Sequence, residues 1–441
     1  MRENKPLKHF LSIFLLLLVS LVALDAVDAS LSAGIAAVEI TPSVEMINWV
    51  YQKPYGGVHD PLFVRALVLS DGKNRVALLS LDLIELRESL SAEVRAAVAR
   101  DLGIRGDHVL LNASHSHSAP FPSSGGEPLT IAERNVFRLL NRDNAYRSWA
   151  ARLPALCVEA VKKADALRRP ATLGLARAWA GEVVFNRRPV LEDGTVKTTL
   201  RPVDPYALPE AQRFGPADPT LTWLSLRDEA GKPLAAIFHL AVHSVSVYGE
   251  YHGISADWPG ATAERLKVAL GAETMFFQGC AGDIVPWRRG LKNVEEMASL
   301  VAGRALAAEA NRHELPAAAF YALKAEVDLP YNERARRETG LAAKHSEVQV
   351  ITYGALAIVA LPGEPLTEIG LAVRVLSPFP HTLVLGYSND SGAQYVGVAG
   401  EIKRGGYEMG EWRLGEDRCG TILIETAVKL LNEARGLQAA R

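Results

Sequence analysis

Strand-like and helix-like segments alternate through residues 34–436 with no linker-like break, and this alternation limits the fold more than any single motif. Residues 34–42 read as a first strand. Residues 62–70 and 75–82 read as a hairpin turned by Asp71, Gly72, Lys73 and Asn74, because apolar runs bounded by such clusters are hairpin signals. Residues 91–102 have helical spacing, residues 107–114 form a short, nearly continuous apolar strand, and helical periodicity runs over residues 130–168 until Pro170. Two more turn signals stand at residues 192–194 and 228–231. Further helices are expected at 259–270, 292–312, 365–376 and 420–436, and further strands at 318–328, 346–361 and 381–387. The sequence carries no internal repeat, heptad run or charge block. Hairpins mixed with helical crossovers imply an α/β (α+β) fold, a mixed sheet flanked by helices, with residues 30–441 forming one domain.

Residues 1–29 read as a signal peptide. Arg2, Lys5 and Lys8 precede an apolar run over residues 11–24, and Val27 and Ala29 hold the −3 and −1 positions of a small-residue cleavage site. The run is shorter than the ~20 residues that cross a bilayer, so the expectation is a periplasmic or secreted chain without a stable membrane span. Lys+Arg 48 against Asp+Glu 50 leaves no basic surplus for a phosphate backbone, which sets nucleic acid aside as a partner. The three cysteines allow one disulfide at most, with Cys280–Cys419 the conceivable pair, while Cys157 reads as a small core hydrophobe.

The motifs of several common enzyme classes are missing: no G-x-S-x-G elbow, no phosphate-binding loop, no G-x-G-x-x-G and no H-E-x-x-H. Chemistry-bearing residues instead collect at the ends of three apolar runs. The first run ends in Asn112, Ala113, Ser114, His115, Ser116 and His117, ahead of a Gly/Pro/Ser-rich loop. Side chains two apart on a strand share a face, so the two imidazoles are placed either to share a site or to stand exposed on a loop. The second run ends in His239 and His243; the first is deeper in the apolar stretch and reads as a core histidine, the second as a ligand candidate. The third ends in Pro362, Gly363 and Glu364 before a helix, where the carboxylate either favours the helix N-terminus electrostatically or faces a site. Two histidines and one carboxylate from separate strand ends make a catalytic zinc set with a position open for water.

These residues carry a resemblance to the N-terminal catalytic domain of the neutral/alkaline non-lysosomal ceramidases. The matching stretches occur in order: residues 33–42, residues 59–66, Ser80 to Asp82, Ser114 to Ser118, Asn186-Arg187, Ala241 to His243, residues 279–286, Pro362 to Glu364, Gln394-Tyr395 and Tyr407-Glu408. The resemblance implies a zinc amidohydrolase with one Zn²⁺ per chain held by His115, His243, Glu364 and Tyr395. It also implies His117, Arg187 and Tyr407 as catalytic residues: His117 as proton shuttle, Arg187 and Tyr407 as oxyanion donors. The implied substrate is a small-molecule or lipid N-acyl compound such as a ceramide. Two departures qualify that. Val285 stands in the family's G-D-x-S-P segment where a serine would be, and the chain ends near Arg441 without room for the immunoglobulin-like domain of longer relatives. Two alternatives therefore stay open, a zinc hydrolase or lyase of the same fold acting on an ester, lactone or glycan, and a non-catalytic metal-binding protein. Asp257 and Asp283 read as loop organisers, Arg187-Arg188 as either site residues or a solvated basic pair, and Trp258, Trp287 and Trp412 as core rather than cleft residues.

Overall fold

The computed structural model describes residues 30–201 and 207–440; the segment read as a signal peptide, residues 1–29, lies outside the described residues. Three larger sheets carry the fold. In the first, Val109–Ala113, Arg75–Leu81, Phe63–Ser70 and Ser32–Glu39 lie side by side, with Arg169–Pro170 at the edge. In the second the order is Glu273–Gln278, Pro233–Leu240, Thr220–Arg227 and Thr172–Trp179, with His313–Glu314 at the edge. In the third it is His381–Leu385, Leu356–Ala360, Ala343–Tyr353 and Phe320–Pro330.

The same topology therefore occurs three times. Each unit has an antiparallel strand, a hairpin, a crossover helix, and a last strand that returns parallel to the hairpin's second strand. The crossover helices are Glu88–Leu102, Asp257–Leu270 and Thr367–Leu376. Parallel pairing requires such a crossover, because a tight turn cannot reverse the chain twice. The first two hairpins turn on an aspartate: Asp71 Oδ1 accepts from the Lys73 and Asn74 amides, and Asp228 Oδ1 from those of Ala230 and Lys232. The third turns at Gly354, so residues 346–361, read as one strand, are the two arms of a hairpin. Gly103 and Gly271, both left-handed, stop the first two crossover helices.

The three sheets face one another. Cross-strand pairs at matching places in the hairpins, Leu67 with Leu78, Leu224 with Ile237 and Ile351 with Ile358, meet in one apolar core. Helices Asn144–Ala166, Leu291–Glu309 and Cys419–Ala439 cover outer faces, so most strand positions are buried on both sides and read as continuous apolar runs. The backbone repeat has no counterpart in the sequence because each unit needs only buried apolar residues at these positions, not the same ones. Thr172–Trp179, Glu273–Gln278 and helix Glu333–Thr339 are elements the sequence reading did not anticipate. The cysteines are all free and buried; Cys280 and Cys419 form no bridge.

Candidate metal centre and its cleft

The carboxyl ends of the returning strands and of the hairpins' second strands converge, the usual place for a site in sheets with crossovers. Asn112 ties this end together: its Nδ2 donates to the Gln278 and Gly386 carbonyls and its Oδ1 accepts from the Gln278 amide, linking all three sheets. Each unit then delivers side chains to one point. The first supplies His115 and His117, the second His243, and the third Glu364 and Tyr387.

His115 Nε2 lies 3.2 Å and His243 Nε2 3.3 Å from the same atom, Glu364 Oε2. On the far side of each ring Nδ1 faces a backbone carbonyl: Ile84 O at 2.5 Å for His115 and Ala281 O at 2.5 Å for His243. A carbonyl only accepts, so each Nδ1 carries the proton and each Nε2 presents a lone pair. Burial, and next the charge of Arg187, push the His243 pKa down to about 3, which keeps it neutral. His243 Nε2 is buried without a hydrogen-bond partner.

Lone pairs and a carboxylate oxygen crowded together are satisfied by a cation. Zinc binds nitrogen at about 2.0–2.1 Å and oxygen at about 2.0–2.2 Å, so two donors on a tetrahedral ion stand about 3.3 Å apart. The two Nε2–Oε2 separations match that spacing, and the residues present fit a metal ion. His117 completes a group of three histidines, each offering a nitrogen within 4.8 Å of the others, with its Nε2 3.1 Å from His115 Nε2. It is thus within reach of the same ion, closer than a residue read as wholly outside the ligand set. Burial lowers the His117 pKa well below its usual value, and its Nδ1 is buried without a partner.

Tyr395 runs beside Glu364 in a short parallel pair, and its hydroxyl accepts from Arg187 Nη2 at 3.0 Å. Arg187 is buried, its Nε bonded to Glu408 at 2.6 Å and its Nη2 also to the Gly282 carbonyl. It lies behind Tyr395 and Tyr407, 5.6 Å and 5.4 Å from their rings. Arg188 bonds Glu408 and Glu401, so the double arginine is a buried ionic network and not a solvated pair. Tyr407 is 39% exposed at the site's entrance.

The entrance is a cleft lined by His115, His117, Glu364, Tyr395 and Tyr407. Trp49, Phe121, Phe137 and Trp412 form apolar wall, and Glu85, Arg87 and Glu133 a charged band. Trp412 is therefore a cleft residue, whereas Trp258 is core, its indole Nε1 donating to the His243 carbonyl. Trp287 packs beside Phe185, Val245 and Val285. His239 sits apart, its Nδ1 on the Phe277 carbonyl. Asp283 and Asp257 organise loops: the first accepts from the Thr367 amide and Asn186, the second from the Val247 and Trp258 amides. Tyr387, Trp49, Glu85 and Tyr248, whose ring lies edge-on to His117 with centroids 5.0 Å apart, carry no motif of their own in the sequence. A Gly-Tyr step directly after a buried strand is the signal for Tyr387; nothing local marks the others.

The fold and site define a three-sheet α/β protein with a buried histidine–carboxylate centre under a cleft. The sequence matches the family described as neutral/alkaline non-lysosomal ceramidase, N-terminal, over residues 33–303, and the chain belongs to that family. That stretch holds His115, His117, Arg187 and His243; Glu364, Tyr395 and Tyr407 lie beyond it. The chain is 26% identical over 284 residues to neutral ceramidase A of Dictyostelium discoideum, covering 60% of this chain and 37% of that protein. Neutral ceramidase B of the same organism is 25% identical over 290 residues, covering 60% and 36%. The match thus spans little more than a third of these relatives. Among solved structures, neutral ceramidase from Pseudomonas aeruginosa superposes with a TM-score of 0.71 at 18% identity, covering 92% of this chain and 75% of that one. A ceramidase complexed with C2 gives a TM-score of 0.73 at 18% identity, covering 92% and 76%. These establish a shared fold. Among the described residues no helix is long and apolar enough to cross a membrane.

Proposed function

We propose that the protein is an exported zinc-dependent hydrolase that cleaves an N-acyl amide bond of a ceramide or related N-acyl lipid. One observation carries the reading: two imidazole lone pairs converge on one carboxylate oxygen at the floor of a cleft with aromatic walls. His115, His243 and Glu364 would hold one zinc ion, with Tyr395 as the fourth protein ligand. Bound there, zinc supplies Lewis acidity, polarising an acyl carbonyl and lowering the pKa of water.

The chain's own residues do the rest. Trp49, Phe121, Phe137 and Trp412 bind the apolar part of the substrate and exclude water. His117, neutral and half-buried beside the centre, takes a proton at Nδ1 and returns it to the leaving nitrogen, because that atom has no other partner. Tyr407 donates its hydroxyl to the oxyanion that develops on the acyl oxygen. Arg187 acts at one remove by holding the Tyr395 hydroxyl. The charged band of Glu85, Arg87 and Glu133 supports a second reading, a polar ester, lactone or glycan substrate on the same machinery. Assay of the purified protein on N-acyl-sphingosine, short N-acyl amides, esters and lactones, with and without a chelator, separates the two. Chelator-sensitive amide cleavage supports the first; inertness to all amides removes it.

A further inference from the structure

Tyr387 belongs to no role given so far, yet it touches two of the three convergent side chains. It is 2% exposed and has a backbone φ of +50°, a left-handed conformation that a bulky aromatic residue adopts only where its surroundings enforce it. The enforcement is visible: its amide donates to the Gly363 carbonyl at 2.8 Å, and its carbonyl accepts from the Ala113 amide at 3.0 Å. Its place in the fold repeats that of His115. Each stands two residues past the end of its unit's returning strand, Ala113 in one case and Leu385 in the other, and each has a positive φ. The two rings consequently lie over one another, with centroids 4.3 Å apart and planes at 33°. The Tyr387 hydroxyl is 3.5 Å from Glu364 Oε2, the same oxygen that both imidazoles face.

We propose that Tyr387 is a positioning residue of the metal centre: its face fixes the plane of His115, and its hydroxyl donates to Glu364 Oε2 so that the carboxylate stays turned toward both imidazoles. The inference rests on the proposed metal binding but not on the substrate or reaction. A group that orients a ligating side chain lowers the freedom the site must lose when the ion enters, and removing such a group typically weakens metal affinity by about 10–100-fold. A tyrosine that merely filled space would leave affinity untouched once phenylalanine took its place.

The experiment uses the full chain, stripped of metal and titrated with zinc against a chromophoric chelator, for the wild type, Tyr387→Phe and Tyr387→Leu. Thermal unfolding of each metal-free protein and the visible spectrum of each cobalt-loaded protein are recorded alongside. Tyr387→Phe is expected to unfold at the wild-type temperature, to bind zinc about 10–100-fold more weakly, and to shift the cobalt spectrum; Tyr387→Leu is expected to bind at least as weakly. Wild-type zinc affinity and cobalt spectrum in Tyr387→Phe would overturn the proposal while leaving the metal centre standing. Failure of the wild type to bind zinc would remove the metal reading and the proposal together.

Discussion

Replacing Glu408 by glutamine tests whether the double arginine is the buried network the structure describes. Glu408 is fully buried and accepts from Arg187 Nε at 2.6 Å and Arg188 Nη1 at 2.7 Å, two side chains that are themselves only 5% and 3% exposed. An exposed pair contributes about 0–1 kcal/mol, whereas removing one partner of a buried pair costs about 3–5 kcal/mol because the other charge is left without compensation. Here two guanidiniums lose their shared carboxylate, and only Arg188 keeps a second one, Glu401. We therefore expect Glu408→Gln to lose about 3–5 kcal/mol of stability, measured by urea denaturation in low and high salt. The loss should persist in high salt, since buried pairs are poorly screened. A loss below about 1 kcal/mol, or one that salt abolishes, would refute the buried-network reading. Hydrolytic activity should fall with it, because Arg187 would no longer hold the Tyr395 hydroxyl in place.

The remaining predictions concern pH and the site. Burial, opposed by the charge of Asp218 and the Phe277 carbonyl, pushes the His239 pKa down to about 4. The unfolded chain, with its histidine near about 6.5, then takes up the proton first as pH falls. The destabilisation is absent above that value and grows down to about pH 4; His239→Leu should flatten this part of the stability–pH curve, and an unchanged slope would count against the assignment. Tyr395→Phe should lose zinc, whereas Tyr407→Phe should retain it and lower kcat by about 10²–10³-fold; zinc stoichiometry and turnover measured side by side decide, and the reverse pattern would invert the two roles. His117→Ala should keep zinc, unlike His243→Ala, while losing turnover; metal loss in both would make His117 a ligand.

Much of this was legible in the sequence where local physics decides. The two aspartate-turned hairpins, most of the long helices and the positions of His115, His243 and Glu364 at strand ends follow from apolar runs stopped by turn residues. Tyr395 was reachable only by resemblance, since a lone tyrosine in a Ser/Gly-rich loop carries no local signal. The exposure of Arg187 and Arg188 could not be read because their partners, Glu401 and Glu408, lie more than two hundred residues away in sequence. The threefold recurrence of the fold was hidden for a different reason: Leu67, Leu224 and Ile351 occupy matching positions through burial alone, and burial accepts any large apolar side chain. Trp412 was misjudged because aromatic residues serve core and cleft equally well, and only the location of the cleft separates the two.

On the proposed function, His115, His243 and Glu364 hold one zinc ion that the hydrolysis of an amide requires. The most direct measurement pairs elemental analysis with turnover of an N-acyl substrate for the wild type and Glu364→Gln, before and after chelation and zinc return. The wild type is expected to carry one zinc per chain and to lose activity on chelation and regain it with zinc, whereas Glu364→Gln is expected to have neither metal nor activity. Full activity in metal-free wild type, or zinc bound undiminished by Glu364→Gln, would contradict that reading.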